Sequence, residues 1–189
     1  MEPPVADLRS VPGGQQGSDE LSALDLTCVV EIPKGSRNKY EYDPLLGGIK
    51  LDRFISASVV YPTDYGYVPD TLALDGDPLD VLVCVSEPTF PGCIVPAKVV
   101  GLFKMADENG DDDHVLCVPR SDPGWNVFED VDDLPTQLRA EITHFFTVYK
   151  DLDHDRHSEV KGWAGRDAAL ETIEQARQRF LDATGVASA

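Results

Sequence analysis

Basic residues are scarce in this chain: Lys and Arg number 16 against 34 Asp and Glu, a formal net charge of −18. That balance argues against nucleic acid and anionic membrane as partners, because both are gripped by clustered Lys and Arg. Cysteine is sparse as well. Cys28, Cys84, Cys93 and Cys117 form no Cys-x-x-Cys pair and lie in or beside apolar runs, which favours buried reduced thiols over a zinc site or a disulfide frame. No apolar run reaches bilayer-spanning length, and the first residues lack the basic start and apolar centre of a secretory signal, so the expectation is a soluble cytoplasmic protein. A Gly-rich loop ending in Lys-Ser or Lys-Thr is missing too, which counts against P-loop nucleotide hydrolysis.

What is present suits one domain: 189 residues, 42% of them hydrophobic, suffice for a proper core. Residues 1–24 hold Pro3, Pro4, Pro12, Gly13, Gly14 and Gly17 with few large apolar side chains and read as a flexible tail; residues 25–185 read as the single domain. Short strands are expected over 27–32, closed by Pro33, and over 38–42, 49–54 and 55–61, the last ending at Pro62. Positions 81–85 are apolar throughout, so a strand buried on both faces is expected there. Further apolar strands follow at 93–105 and 115–118. Two helices close the chain: one entered at Pro135 with Leu138, Ile142, Phe145, Phe146 and Tyr149 at helical spacing, the other over 167–183 with Ala169, Leu170, Ile173, Ala176 and Phe180 on one face. Residues 151–165 between them are polar and read as loop, with His154 and His157 as surface residues; His144, on the first helix, reads as structural.

The chemistry concentrates where Asp75, Asp77 and Asp80 abut the apolar run. Gly76 allows a tight bend and Pro78 biases Asp77 toward extended backbone, so the three carboxylates can be turned to one point. Converging acids repel and call for a cation, and oxygen donors suit magnesium or manganese rather than zinc. By itself the segment is equally readable as a plain turn. An EF-hand loop is excluded by counting from Asp75: the sixth position is Asp80 rather than glycine and the twelfth is Ser86 rather than glutamate. A second acidic cluster, Asp107-Glu108-Asn109-Gly110-Asp111-Asp112-Asp113-His114, fails the same count and reads as a hairpin tip between strands, solvated on its own account or brought beside Asp75–Asp80 by a barrel. Tyr61, Tyr65 and Tyr67 lie just ahead of the first cluster, as core filling with wet hydroxyls or with one hydroxyl facing the acids.

From about Leu26 through the second helix, the chain resembles the soluble (family I) inorganic pyrophosphatases. Asp75-Gly76-Asp77-Pro78-Leu79-Asp80-Val81 is similar to that family's signature, and Glu31-Ile32-Pro33, Lys39-Tyr40-Glu41, Asp52-Arg53, Tyr61-Pro62, Asp64-Tyr65-Gly66, Lys104-Met105, Asp107-Glu108, His144-Phe145-Phe146 and Tyr149-Lys150 follow in its order. The resemblance implies an α+β fold, a small closed five-stranded OB-like β-barrel with flanking helices, often assembled as a homohexamer. It implies hydrolysis of pyrophosphate to two orthophosphates with Mg2+, with Mn2+ as a substitute. Calcium is expected to inhibit, since its looser coordination misplaces the attacking water. Carried over, Asp75, Asp80, Asp107 and Asp112 would hold metal with Glu31 nearby. Lys39, Arg53, Tyr149 and Lys150 would hold phosphate oxygens, Tyr65 would stand beside the nucleophilic water, and Asp77 or Asp112 would accept the proton. One departure is His114, where the family commonly has a lysine near the substrate; the ordinary imidazole pKa of ~6.5 makes pH-dependent substrate affinity the expectation. The competing reading is an acidic calcium-dependent binding module without catalysis, which leaves Lys39, Arg53, Tyr65 and Lys150 unexplained.

Overall fold

The computed structural model describes residues 25–185, so the tail expected over 1–24 lies outside the described residues. Nine strands and two helices follow in order: β1 (Asp25–Ile32), β2 (Asn38–Asp43), β3 (Gly48–Phe54), β4 (Asp64–Tyr67), β5 (Asp80–Val83), β6 (Ile94–Asp107), β7 (Gly110–Asp111), β8 (His114–Pro119), α1 (Thr136–Val148), β9 (Ser158–Gly165) and α2 (Arg166–Thr184). Five of them close a ring, β1 to β4 to β5 to β8 to β6 and back to β1. Every contact in the ring is antiparallel except β5–β8. This is the expected small closed barrel. β6 is long enough at 14 residues to pair with β1, then β8, and to carry β9 and β7 beyond the ring.

Both faces of the central strands are buried, which is why residues 81–83 show no polar alternation. Val81, Val83, Val115 and Cys117 pack with Ala169, Ile173 and Ala176 of α2. Leu82, Cys84, Leu116 and Val118 pack with Ile142, Phe145 and Phe146 of α1. Each fully buried Val, Leu or Ile here contributes about 1.5–3 kcal/mol relative to exposure. Ring closure also demands a close approach: a Cβ on Gly66 would meet the carbonyl oxygen of Val29 at 1.9 Å, so β4 accepts only glycine where it crosses Val30 of β1.

Two expectations fail. Residues 55–62 form no strand; they are tied to the residues just before β2, with Tyr61 N–H donating to the Ser36 carbonyl and Ile55 N–H to that of Arg37. Their Ile55, Ala57 and Tyr61 are buried, so apolar content without a ladder partner mimicked a strand. Conversely, residues 158–165 form β9 on the edge of β6. Its pattern was unreadable because the register shifts where Gly162, at φ +120°, breaks the two-residue period. Of the thiols, Cys28, Cys84 and Cys117 are buried and Cys93 is half-buried; all four are free. No described helix is long and apolar enough to cross a membrane.

Candidate active site

The first acidic turn is built locally. Gly76 adopts φ +99°, Asp77 N–H donates to Oδ1 of Asp75 at 3.1 Å, and Ala73 N–H closes the turn on the Asp77 carbonyl at 2.7 Å. Buried Thr71 accepts from Leu79 N–H at 2.9 Å, which anchors the entry to β5. Asp80 is therefore presented at the mouth of β5, where the Tyr65 hydroxyl of β4 donates to its Oδ2.

The second cluster reaches the first through the one parallel pairing of the ring. Val81 of β5 is level with Val115 of β8, so the preceding residues, Asp80 and His114, are neighbours across the ladder. Asp112 lies two residues before His114 on the same side of an extended chain. His114 Nε2 stands 3.6 Å from Asp80 Oδ2 and 3.9 Å from Asp112 Oδ1, and one ligand atom from each of the three lies within 4.8 Å of the others. Burial, and next the charge of Asp112, hold the Asp80 carboxyl well above the usual carboxylate range, with the Tyr65 hydrogen bond opposing them. Asp80 nonetheless keeps 27% of its side chain open to solvent, so the site is crowded but accessible.

The expected cations each hold a carboxylate of their own, and Lys39 also acts electrostatically on Asp80. Lys39 and Arg53 are direct partners across the β2–β3 hairpin; Lys39 pairs with Glu41 at 2.6 Å and Arg53 with Asp52 at 3.2 Å. Lys150, just past α1, donates to Asp107 at 2.9 Å and Glu108 at 3.0 Å. Glu31, nearly buried on β1, accepts from Tyr42 N–H at 2.7 Å, and burial pushes its carboxyl up to about 7. Burial, Asp75 and Glu41 raise Asp77, against the pull of Lys39. Tyr149 stacks on Phe145 at 5.2 Å, and burial raises its hydroxyl, with Tyr61, Asp112, Asp107 and Asp80 adding to the effect.

Asp80 and Asp112 are thus brought together, with Tyr65 on Asp80. Glu31 feels the charges of Lys39, Glu41 and Asp77, and Asp77 those of Asp75, Glu41 and Lys39. Asp75 is exposed and holds the backbone of Asp77. Asp107 is ion-paired to Lys150 and stands outside the Asp80–Asp112–His114 group. His114 is placed differently from the expectation of a titrating charge turned to the substrate. It is 1% exposed, packed against the rings of Tyr65, Phe103 and Phe146, and burial lowers its pKa despite Asp112 and Asp113. His144, read as structural, is exposed in a groove of about 530 Å³ with Thr136, Arg139 and Trp163 that contains none of the acids. Sequence reasoning missed Glu108 as the second partner of Lys150 and His114 as a companion of the acids. The i, i+2 spacing of Asp112 and His114 ahead of a strand was the available signal for the second.

The donor set fits a divalent cation: two carboxylates and an imidazole each offer a ligand atom within 4.8 Å of the others.

Comparison with known proteins agrees with this geometry. A family profile described as inorganic pyrophosphatase matches residues 28–181. The inorganic pyrophosphatase of Methanosarcina acetivorans is 53% identical over 165 residues, covering 84% of this chain and 98% of that one. That of Streptomyces coelicolor is 49% identical over 162 residues, covering 86% and 99%. The crystal structure of inorganic pyrophosphatase from Thermus thermophilus superposes with a TM-score of 0.82 at 44% identity, covering 93% of this chain and 99% of that one.

Proposed function

The chain belongs to the inorganic pyrophosphatase family and hydrolyses pyrophosphate to two orthophosphates; we propose that it does so with Mg2+, held by Asp75, Asp80, Asp107 and Asp112 with Glu31 in support. The observation that carries this reading is the meeting of Asp80 and Asp112 at the mouth of the parallel β5–β8 pair, where the charge of Lys39 also acts on Asp80. When bound, divalent ions supply the positive charge that lets acids and a polyanion share one cavity, and they acidify water for in-line attack.

The chain's own groups do the rest. Asp77 lies on the turn with its proton affinity raised by partial desolvation and by Asp75, which suits it to take the proton of the attacking water. Asp112 is the second candidate for that part. Tyr65 fixes one oxygen of Asp80 by its hydrogen bond and so orients the carboxylate beside the reacting water. Arg53 offers the planar fork and Lys39 the point charge for phosphate oxygens. Lys150 and Tyr149, delivered together by the end of α1, cover the remaining oxygens. A calcium-dependent binding module would have no use for these four.

The proposal extends to residues 25–185 as one catalytic unit, to Mn2+ as a substitute ion and Ca2+ as an inhibitor, and to a homohexamer acting in the cytoplasm. Phosphate release from pyrophosphate by purified protein with Mg2+ tests the core of it. Activity that vanishes with chelator and in Asp80→Ala is expected; chelator-resistant turnover would defeat the metal assignment. Light scattering decides the hexamer.

A further inference from the structure

Within the acidic centre the imidazole of His114 makes no hydrogen bond to either of the carboxylates it faces. Its Nδ1 is buried with no partner, while Nε2 stands 3.6 Å from Asp80 and 3.9 Å from Asp112, both longer than an N–H···O bond. Its side chain is only 2% exposed. Nε2 is the ring nitrogen turned to the acids, and its distance from both carboxylates leaves room for a further group bonded to all three.

The geometry names the kind of group. Two atoms each bonded to one first-row divalent ion at about 2.1 Å lie at most ~4.2 Å apart, and both His114 distances fall below that ceiling. Tyr65, Phe103 and Phe146 surround the ring at centroid separations of 5.5, 6.2 and 4.9 Å, so its orientation is set by packing. The parallel register that levels Asp80 with His114 then turns the Nε2 edge toward both carboxylates.

We propose that His114 donates Nε2 to the ion held between Asp80 and Asp112, and that this nitrogen tilts the centre from magnesium toward borderline first-row ions such as cobalt(II) and zinc. Oxygen-only sets suit magnesium and calcium, whereas an imidazole adds affinity that grows along the first row. The inference rests on the reading of Asp80 and Asp112 as metal ligands and adds a third ligand to it.

Full-length protein, stripped of metal and without substrate, is loaded with one equivalent of Mn2+ and measured by pulsed EPR. Coupling to a directly bound imidazole nitrogen is expected, and it is expected to vanish in His114→Gln and in Asp80→Asn. By calorimetry, His114→Gln weakens Co2+ binding at least roughly tenfold, since even the loss of an outer-shell partner of a ligand has that effect, while Mg2+ affinity changes less than about twofold. Mn2+ that binds at Asp80 without nitrogen coupling overturns the inference and leaves the acids as ligands. Coupling that survives Asp80→Asn comes from a histidine elsewhere and overturns it as well. Mn2+ and Mg2+ binding unaffected by Asp80→Asn would sink the reading of the acids too. If His114→Gln does not fold by circular dichroism, the wild-type and Asp80→Asn spectra decide.

Discussion

Nζ of Lys150 lies 2.9 Å from Oδ2 of Asp107 and 3.0 Å from Oε2 of Glu108, so one ammonium joins the end of α1 to the outer end of β6 and its acidic tip. The Lys150 side chain is 7% exposed and that of Asp107 13%. Removing the cation strands a nearly buried carboxylate, at a cost on the order of 3 kcal/mol. Lys150→Met is therefore expected to lower Tm by about 6 °C or more and to raise KM for pyrophosphate. Thermal denaturation and steady-state kinetics check both. A lowered Tm with unchanged KM would confine Lys150 to the ion pair.

Asp77 and Asp112 differ in position, and this separates their roles. Asp77 sits on the turn outside the donor group, while Asp112 is inside it. Asp77→Asn is expected to lower kcat by about 10²–10⁴ with little change in metal affinity. Asp112→Asn should weaken metal binding first. Paired metal titrations and kcat measurements distinguish them, and the reverse outcome assigns proton acceptance to Asp112.

Glu31 links pH to stability in the metal-free protein. Its carboxyl titrates near 4.5 when unfolded and at about 7 when folded, so between those values the folded state keeps a proton the unfolded state has lost. Stability therefore falls as pH rises from about 4.5 to about 7 and stays lower above that, by on the order of 3 kcal/mol. Glu31→Gln retains an acceptor for Tyr42 N–H and removes the titration. Urea unfolding without divalent ions should show the variant more stable than wild type at pH 8 and level with it near pH 4. A gap that does not depend on pH would refute the linkage.

Metal exchange provides the remaining test. EDTA is expected to abolish phosphate release, and excess Mg2+ to restore it. Ca2+ should bind competitively yet support little turnover, because its 6 to 8 loosely arranged ligands orient water poorly. Saturation near 100 times Kd would also stabilise the fold by about 2.7 kcal/mol, readable as a rise in Tm for both ions. A Tm rise with Ca2+ alone would favour calcium binding over catalysis.

Much of this was legible in the chain. The Asp75–Asp80 turn could be read because its determinants are local: Gly76 permits φ +99° and Asp75 caps the backbone of Asp77. The two-sided burial of β5 was visible in unbroken apolar character, and both helices in their spacing. Residues 55–62 and β9 were misread because one has inward apolar groups without a ladder and the other a ladder without a regular period.

The sequence alone determined which acids, cations and tyrosines are available and the local turns and helices that carry them, since those depend on neighbouring residues and on burial. Tertiary structure decided which of them meet. Asp80 stands against Asp112 and His114 only because ring closure aligns β5 with β8 in parallel at Val81 and Val115. Lys150 reaches Asp107 only because α1 docks through Ile142, Phe145 and Phe146. A register between distant strands is a property of the packed whole, and no local preference encodes it.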